Sequence, residues 1–138
     1  MKGNDLITAS EKLYQSIALL KAIPADTTAD GQTKTAGTLL ADAQALYEPI
    51  YRYGADELRK LAEPLFDQGK YSEALAYYLR AYQMYPGSYG GGVAYYCGRC
   101  YQLMRQPDMA RPYYEYVVAN FAGKSIATSA ASRLRELG

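Results

Sequence analysis

Cys97 and Cys100, set as CGRC within the stretch GGVAYYCGRCYQLMRQPD, are the residues whose type and spacing could most readily do chemistry. Two thiols so placed suit a redox dithiol, half of a metal site, or two small side chains packed on one helix face. A redox pair of the thioredoxin kind sits at a helix N-terminus behind a buried strand, where the dipole lowers a thiol pKa. Here the pair lies well inside a helical pattern with no strand signal before it. A structural zinc wants four ligands, and the chain has no histidine to complete the set. Core packing is the expected role of both thiols, with no metal and no cofactor; a CxxC redox protein remains the alternative.

Two further stretches invite a functional reading. SYGGGVAYY places three glycines before a helix, where amides could hold an anion, but neither a dinucleotide nor a P-loop frame surrounds them, so an inter-repeat turn is expected. The tyrosines alternate with Arg52, Arg59, Arg80, Arg99, Arg105 and Arg111, a mixture that in single-strand binders stacks bases. Half-buried packing accounts for the rings equally well, and a formal charge of +1 gives no long-range pull on a polyanion. Single-stranded nucleic-acid binding is therefore the second alternative, and nucleic acid is not an expected partner. No carboxylate pair and no serine with a base is visible, so catalysis is not expected.

The elements that position these residues are helices. The 138 residues suffice for one domain with a core, and 49% hydrophobic with 21% charged residues is a soluble balance. Sixteen tyrosines stand against two phenylalanines and no tryptophan, and all but Tyr14 fall between Tyr47 and Tyr116. A ring with a polar tip suits half-buried positions. The spacing of Leu6, Leu13, Ile17, Leu20 and Ile23 predicts a first helix over 4–23, ended by Pro24. PADTTADGQTKT reads as a loop. Leu39, Leu40, Ala43, Leu46, Ile50 and Tyr51 predict a second helix, bent at Pro49 and ended or interrupted by Gly54. No run approaches the roughly 18 apolar residues of a membrane span, so no direct membrane insertion is expected.

The second half repeats itself. Laid over RQPDMARPYYEYVVANFAGK at a shift of 36 residues, GKYSEALAYYLRAYQMYPGS puts Ala74 on Ala110, Tyr77 and Tyr78 on Tyr113 and Tyr114, Tyr85 on Phe121 and Gly87 on Gly123. Upstream, Leu58, Leu61, Ala62 and Leu65 fall on Ala94, Cys97, Gly98 and Tyr101. Two helices in a unit of about 30–40 residues mark a helical solenoid. Small residues at 62, 74, 98 and 110 let backbones approach closely, and the aromatic at 78 or 114 fills the space beside them. Pro64 sits inside the first of these helices, where a kink is expected.

This pattern resembles the tetratricopeptide repeat family. Leu58, Leu61, Ala62, Leu65, Ala74, Tyr78, Ala81 and Pro86 match one repeat; Ala94, Cys97, Gly98, Tyr101, Ala110, Tyr114 and Val117 match a second, with Ala122 in place of the proline. SIATSAASRLREL places Ala127, Ala130, Ala131 and Leu134 at the helix-A packing positions and then stops, as a closing helix does. The resemblance implies an all-α, right-handed superhelix of antiparallel helix pairs: 1–54 as N-terminal helices and loop, 55–88 and 89–123 as repeats, 124–138 as the closing helix. It also implies a concave groove lined by Asp56, Arg59, Glu63, Phe66, Gly92, Tyr95, Arg99, Gln102, Ser125, Thr128, Ser132 and Arg135. Of these, Arg59, Glu63, Tyr95, Arg99, Gln102, Thr128 and Arg135 are the expected partner-binding residues, with Arg59 and Arg99 facing solvent in the free domain. The implied function is a protein- or peptide-binding scaffold without catalysis, an adaptor within a larger bacterial assembly or chain, with a homo-oligomer left open. YPGS and FAGKSIATSAASRLREL also look like repeats of cell-envelope proteins, so the chain is expected to be soluble as given, cytoplasmic or a soluble part of an anchored envelope protein.

Overall fold

The computed structural model describes residues 3–26, 28 and 35–138. Among them are six α-helices, one 3-10 turn and no strand. None of the helices is long and apolar enough to cross a membrane. The segment read as a loop, 24–35, lies largely outside the described residues. The chain forms two compact units, Met1–Gly54 and Ala55–Gly138.

In the first unit α1 spans Gly3–Lys21. It buries Ile7 and Ile17 and sets the Tyr14 ring edge-on to Tyr51, 6.1 Å between centroids. Ser10 is fully buried, its hydroxyl 2.7 Å from Leu6 O and 3.0 Å from Ile50 O, so one proton serves two carbonyls. That bond satisfies a polar group that would otherwise be stranded in the core.

The second helix departs from the expectation. Gly54 neither ends nor interrupts it: α2 runs unbroken over Ala36–Asp67, through Pro49, Gly54 and Pro64. A glycine costs a helix interior about 1 kcal/mol and a proline about 3 kcal/mol. Burial offsets these local penalties in part, because Tyr51, Ala55, Leu58 and Ala62 of the same helix are removed from water.

The second unit continues with α3 (Tyr71–Met84), the 3-10 turn Ser88–Gly91, α4 (Gly92–Leu103), α5 (Pro107–Asn120) and α6 (Ser125–Leu137). Each helix from α3 on packs against the next, and α4 also touches α6. The 36-residue shift found in the sequence maps α3 onto α5 end to end, and the last residue of α2 onto the last of α4.

The hydrogen bonds repeat with the helices. Gly69 N and Lys70 N donate to Phe66 O and Leu65 O at 3.0 and 2.8 Å; Arg105 N and Gln106 N donate to Gln102 O and Tyr101 O at 3.0 and 2.9 Å. Both pairs are the Schellman closure of a helix, which requires a left-handed residue after the last turn. Gly69 supplies it at φ 78° without cost, whereas Arg105 adopts φ 63° with a β-carbon in the way. Lys70 O and Gln106 O then accept from Ala74 N and Ala110 N at 2.9 and 3.1 Å, starting the next helix alike after both turns.

Packing follows the same register. Leu58, Ala62, Ala74, Tyr78 and Ala81 are buried, as are Ala94, Cys97, Gly98, Tyr101, Ala110, Tyr114 and Val117, and then Ala127 and Ala130. Leu65, Ala131 and Leu134 are only half-buried and Pro86 is exposed, while Leu61 departs furthest among the helix positions, 39% exposed where packing was expected. Its counterpart Cys97 lies within electrostatic reach of Tyr82 on α3, the helix before it; within this unit no helix precedes α2 to cover Leu61 in the same way.

Candidate functional site

The two thiols are fully buried and free. Burial pushes the Cys97 thiol well up and the Cys100 thiol up to about 12, the nearby Arg99 charge opposing the rise at Cys100 only in part. Both are therefore protonated near neutral pH, the opposite of what a nucleophile or metal ligand needs. Among the described residues no group of three or more His, Cys, Asp or Glu side chains is placed to hold a metal.

The tyrosines are spent largely on one another. Phe66 meets Tyr71 and Tyr96 edge-on at 5.3 and 5.1 Å; Tyr96 stacks on Tyr78 at 5.6 Å and meets Tyr95 edge-on at 5.5 Å; Tyr95 leans on Tyr114 at 5.7 Å. A second group joins Tyr82, Tyr101, Tyr113, Tyr116 and Phe121. Such pairs prefer edge-on or offset contacts, each adding about 0.5–1.5 kcal/mol beyond burial.

The expected groove residues fall into two clusters and two bystanders. Arg59 is not the solvent-facing cation that the sequence suggests. Its side chain is only 12% exposed, with Nε and Nη2 donating to Asp56 Oδ1 at 3.0 and 2.7 Å and Nη1 donating to Glu63. The Tyr89 ring lies over the guanidinium, 4.0 Å away. Spacings of three and four residues along α2 bring both carboxylates to the arginine, so its charge is consumed inside the chain. Tyr89 reaches it from the SYGG turn, where Tyr89 and Gly90 take left-handed φ of 58° and 59°. The three-glycine stretch is thus a shaped turn that delivers an aromatic ring.

The second cluster lies at α4 and α6. The Tyr114 hydroxyl donates to Gln102 Oε1 at 2.7 Å, which also accepts from Arg99 Nη1 at 3.4 Å. Gln102 Nε2 donates to Glu136 Oε2 at 2.9 Å. Glu136 accepts from Arg133 Nη1 at 3.1–3.2 Å, and Arg133 Nε donates to the Tyr95 hydroxyl at 3.2 Å. The Gln102 and Arg133 hydrogen bonds, with Arg99 nearby, hold the Glu136 carboxyl below its usual range. Tyr95, Arg99 and Gln102 are therefore brought together, and Phe66, Tyr96 and Tyr95 join this cluster to the α2 side by ring contacts.

Thr128 is exposed, and Arg135 is exposed with its guanidinium donating to Ser132 Oγ at 3.0 Å on its own helix. Neither is a hydrogen-bond or ion-pair partner of the two clusters among the described residues. Three contributors escaped the sequence reading: Tyr89, Arg133 and Glu136. The i,i+3 spacing of Arg133 and Glu136 in SRLREL was the one available signal for the last two. No family model, no curated protein and no solved structure matches the chain.

Proposed function

We propose that the chain is a protein- or peptide-binding scaffold of tetratricopeptide-like helix pairs, wound as a right-handed superhelix and serving as an adaptor in a larger assembly. The observation that carries this reading is the exact recurrence of helix bounds, closing turns and buried small-aromatic pairs at a shift of 36 residues. Units that stack only on their neighbours form an extended surface, and such surfaces are suited to binding segments of other chains. The groove runs along α4 and α6, where Tyr95, Arg99, Gln102 and Arg133 combine aromatic and cationic side chains, a composition enriched at interfaces. A thiol redox role is disfavoured by the raised thiol pKa values, and base stacking by rings already packed against each other.

The test is a pull-down from lysate with the intact chain and with Tyr95→Ala combined with Arg99→Glu. A partner retained by the parent and lost by a double variant that circular dichroism shows to be still folded supports the groove. A partner retained equally by both removes it.

A further inference from the structure

The two clusters differ in charge balance. At Arg59 one guanidinium meets two carboxylates, Asp56 and Glu63, under an aromatic cover. In the α4–α6 cluster two guanidiniums, Arg99 and Arg133, face one carboxylate, Glu136. That carboxylate is held from two helices at once, by Gln102 Nε2 on α4 and Arg133 Nη1 on its own helix, yet its side chain remains 49% exposed. A surface ion pair contributes little to stability, so this one is readily exchanged. Its donors are a planar amide and a guanidinium, a set that suits any carboxylate.

We infer that Glu136 is an internal occupant of a carboxylate-binding site formed by Gln102, Arg133 and Arg99, and that an acidic side chain or terminus of a peptide partner takes its place. The inference rests on the scaffold reading above and names the partner's chemistry. While Glu136 sits there, the site is satisfied in the free protein and acidic segments compete at a disadvantage. Once it is displaced, the partner carboxylate meets the same two donors with Arg99 alongside, and the adjoining Tyr95 ring offers a surface for a neighbouring apolar side chain. Glu136 thus sets a threshold of affinity without forming part of the partner's binding surface.

The experiment selects phage-displayed short random peptides on the full chain and on Glu136→Ala. Aspartate or glutamate is expected beside an apolar residue in the selected sequences. Synthetic copies should bind Glu136→Ala roughly three- to tenfold tighter than the parent, the worth of an exposed charged contact. Adding Arg99→Glu and Arg133→Glu to Glu136→Ala should abolish binding while circular dichroism still shows a folded chain. Selected peptides without acidic enrichment, or binding both proteins equally, would overturn the role of Glu136 and leave the scaffold standing. Recovery of no peptide on either protein would overturn both.

Discussion

Gly98 lies directly under the ring of Tyr114: a β-carbon at residue 98 would stand 2.7 Å from Tyr114 Cε1 and 2.9 Å from Cδ1, closer than side-chain atoms pack. The missing side chain on α4 is therefore the space that the α5 ring fills. Thirty-six residues earlier the sequence sets Ala62 and Tyr78 in the same roles, both buried. Gly98→Ala should cost roughly 1–2 kcal/mol, overpacking outweighing the better helix propensity of alanine. Tyr114→Leu in the same chain should relieve the clash, so a double-mutant cycle by urea denaturation should show a coupling of about 1 kcal/mol or more. Additive effects would break the pairing.

Arg105→Gly should stabilise the chain by about 0.5–1 kcal/mol. The substitution removes a β-carbon from a left-handed position, φ 63°, that Gly69 already fills with glycine at the equivalent turn. A rise in thermal midpoint checks it; a fall would mean that the arginine side chain has a role at the turn.

Arg59→Ala should destabilise by roughly 1–3 kcal/mol, because it breaks charge-assisted hydrogen bonds to Asp56 and Glu63 and uncovers the face of Tyr89. The same measurement on Arg135→Ala, an exposed residue bonded within its own helix, should show little change. Equal melts for the two variants would return Arg59 to the solvent-facing role that the sequence suggests.

The acid side of the stability curve carries the α4–α6 network. A carboxyl whose folded pKa lies below its unfolded value stabilises the fold above the unfolded pKa, about 4.3 for glutamate, and loses that contribution as pH falls through the folded value. Glu136 is such a group. Glu136→Gln should therefore melt lower than the parent at pH 7, and the gap should close as the pH is taken below that of an ordinary glutamate. A gap independent of pH would show that packing, not the charge, is lost.

Much of this architecture is legible in the sequence because helix packing acts through residue size at fixed spacing. Ala74, Tyr78, Gly98, Ala110 and Tyr114 are recognisable by type alone, and all are buried. The course of α2 was not legible, since Pro49, Gly54 and Pro64 signal local breaks whereas the burial of Ala55, Leu58 and Ala62 is a tertiary effect. The site was half legible. Tyr95, Arg99 and Gln102 lie on one helix and share a face by periodicity. Their bonds to Arg133 and Glu136 depend on how α6 seats against α4, and the aromatic cover over the Arg59 charge depends on a turn that brings in Tyr89.

The most direct test of a groove along α4 and α6 is hydrogen–deuterium exchange of the full chain with and without a bound partner or selected peptide. Protection should appear along Tyr95–Gln102 and Arg133–Glu136, with α3 and α5 unchanged. Protection confined to α3 and α5, with α4 and α6 unaffected, would contradict the account by placing the binding surface on the opposite helices of each pair.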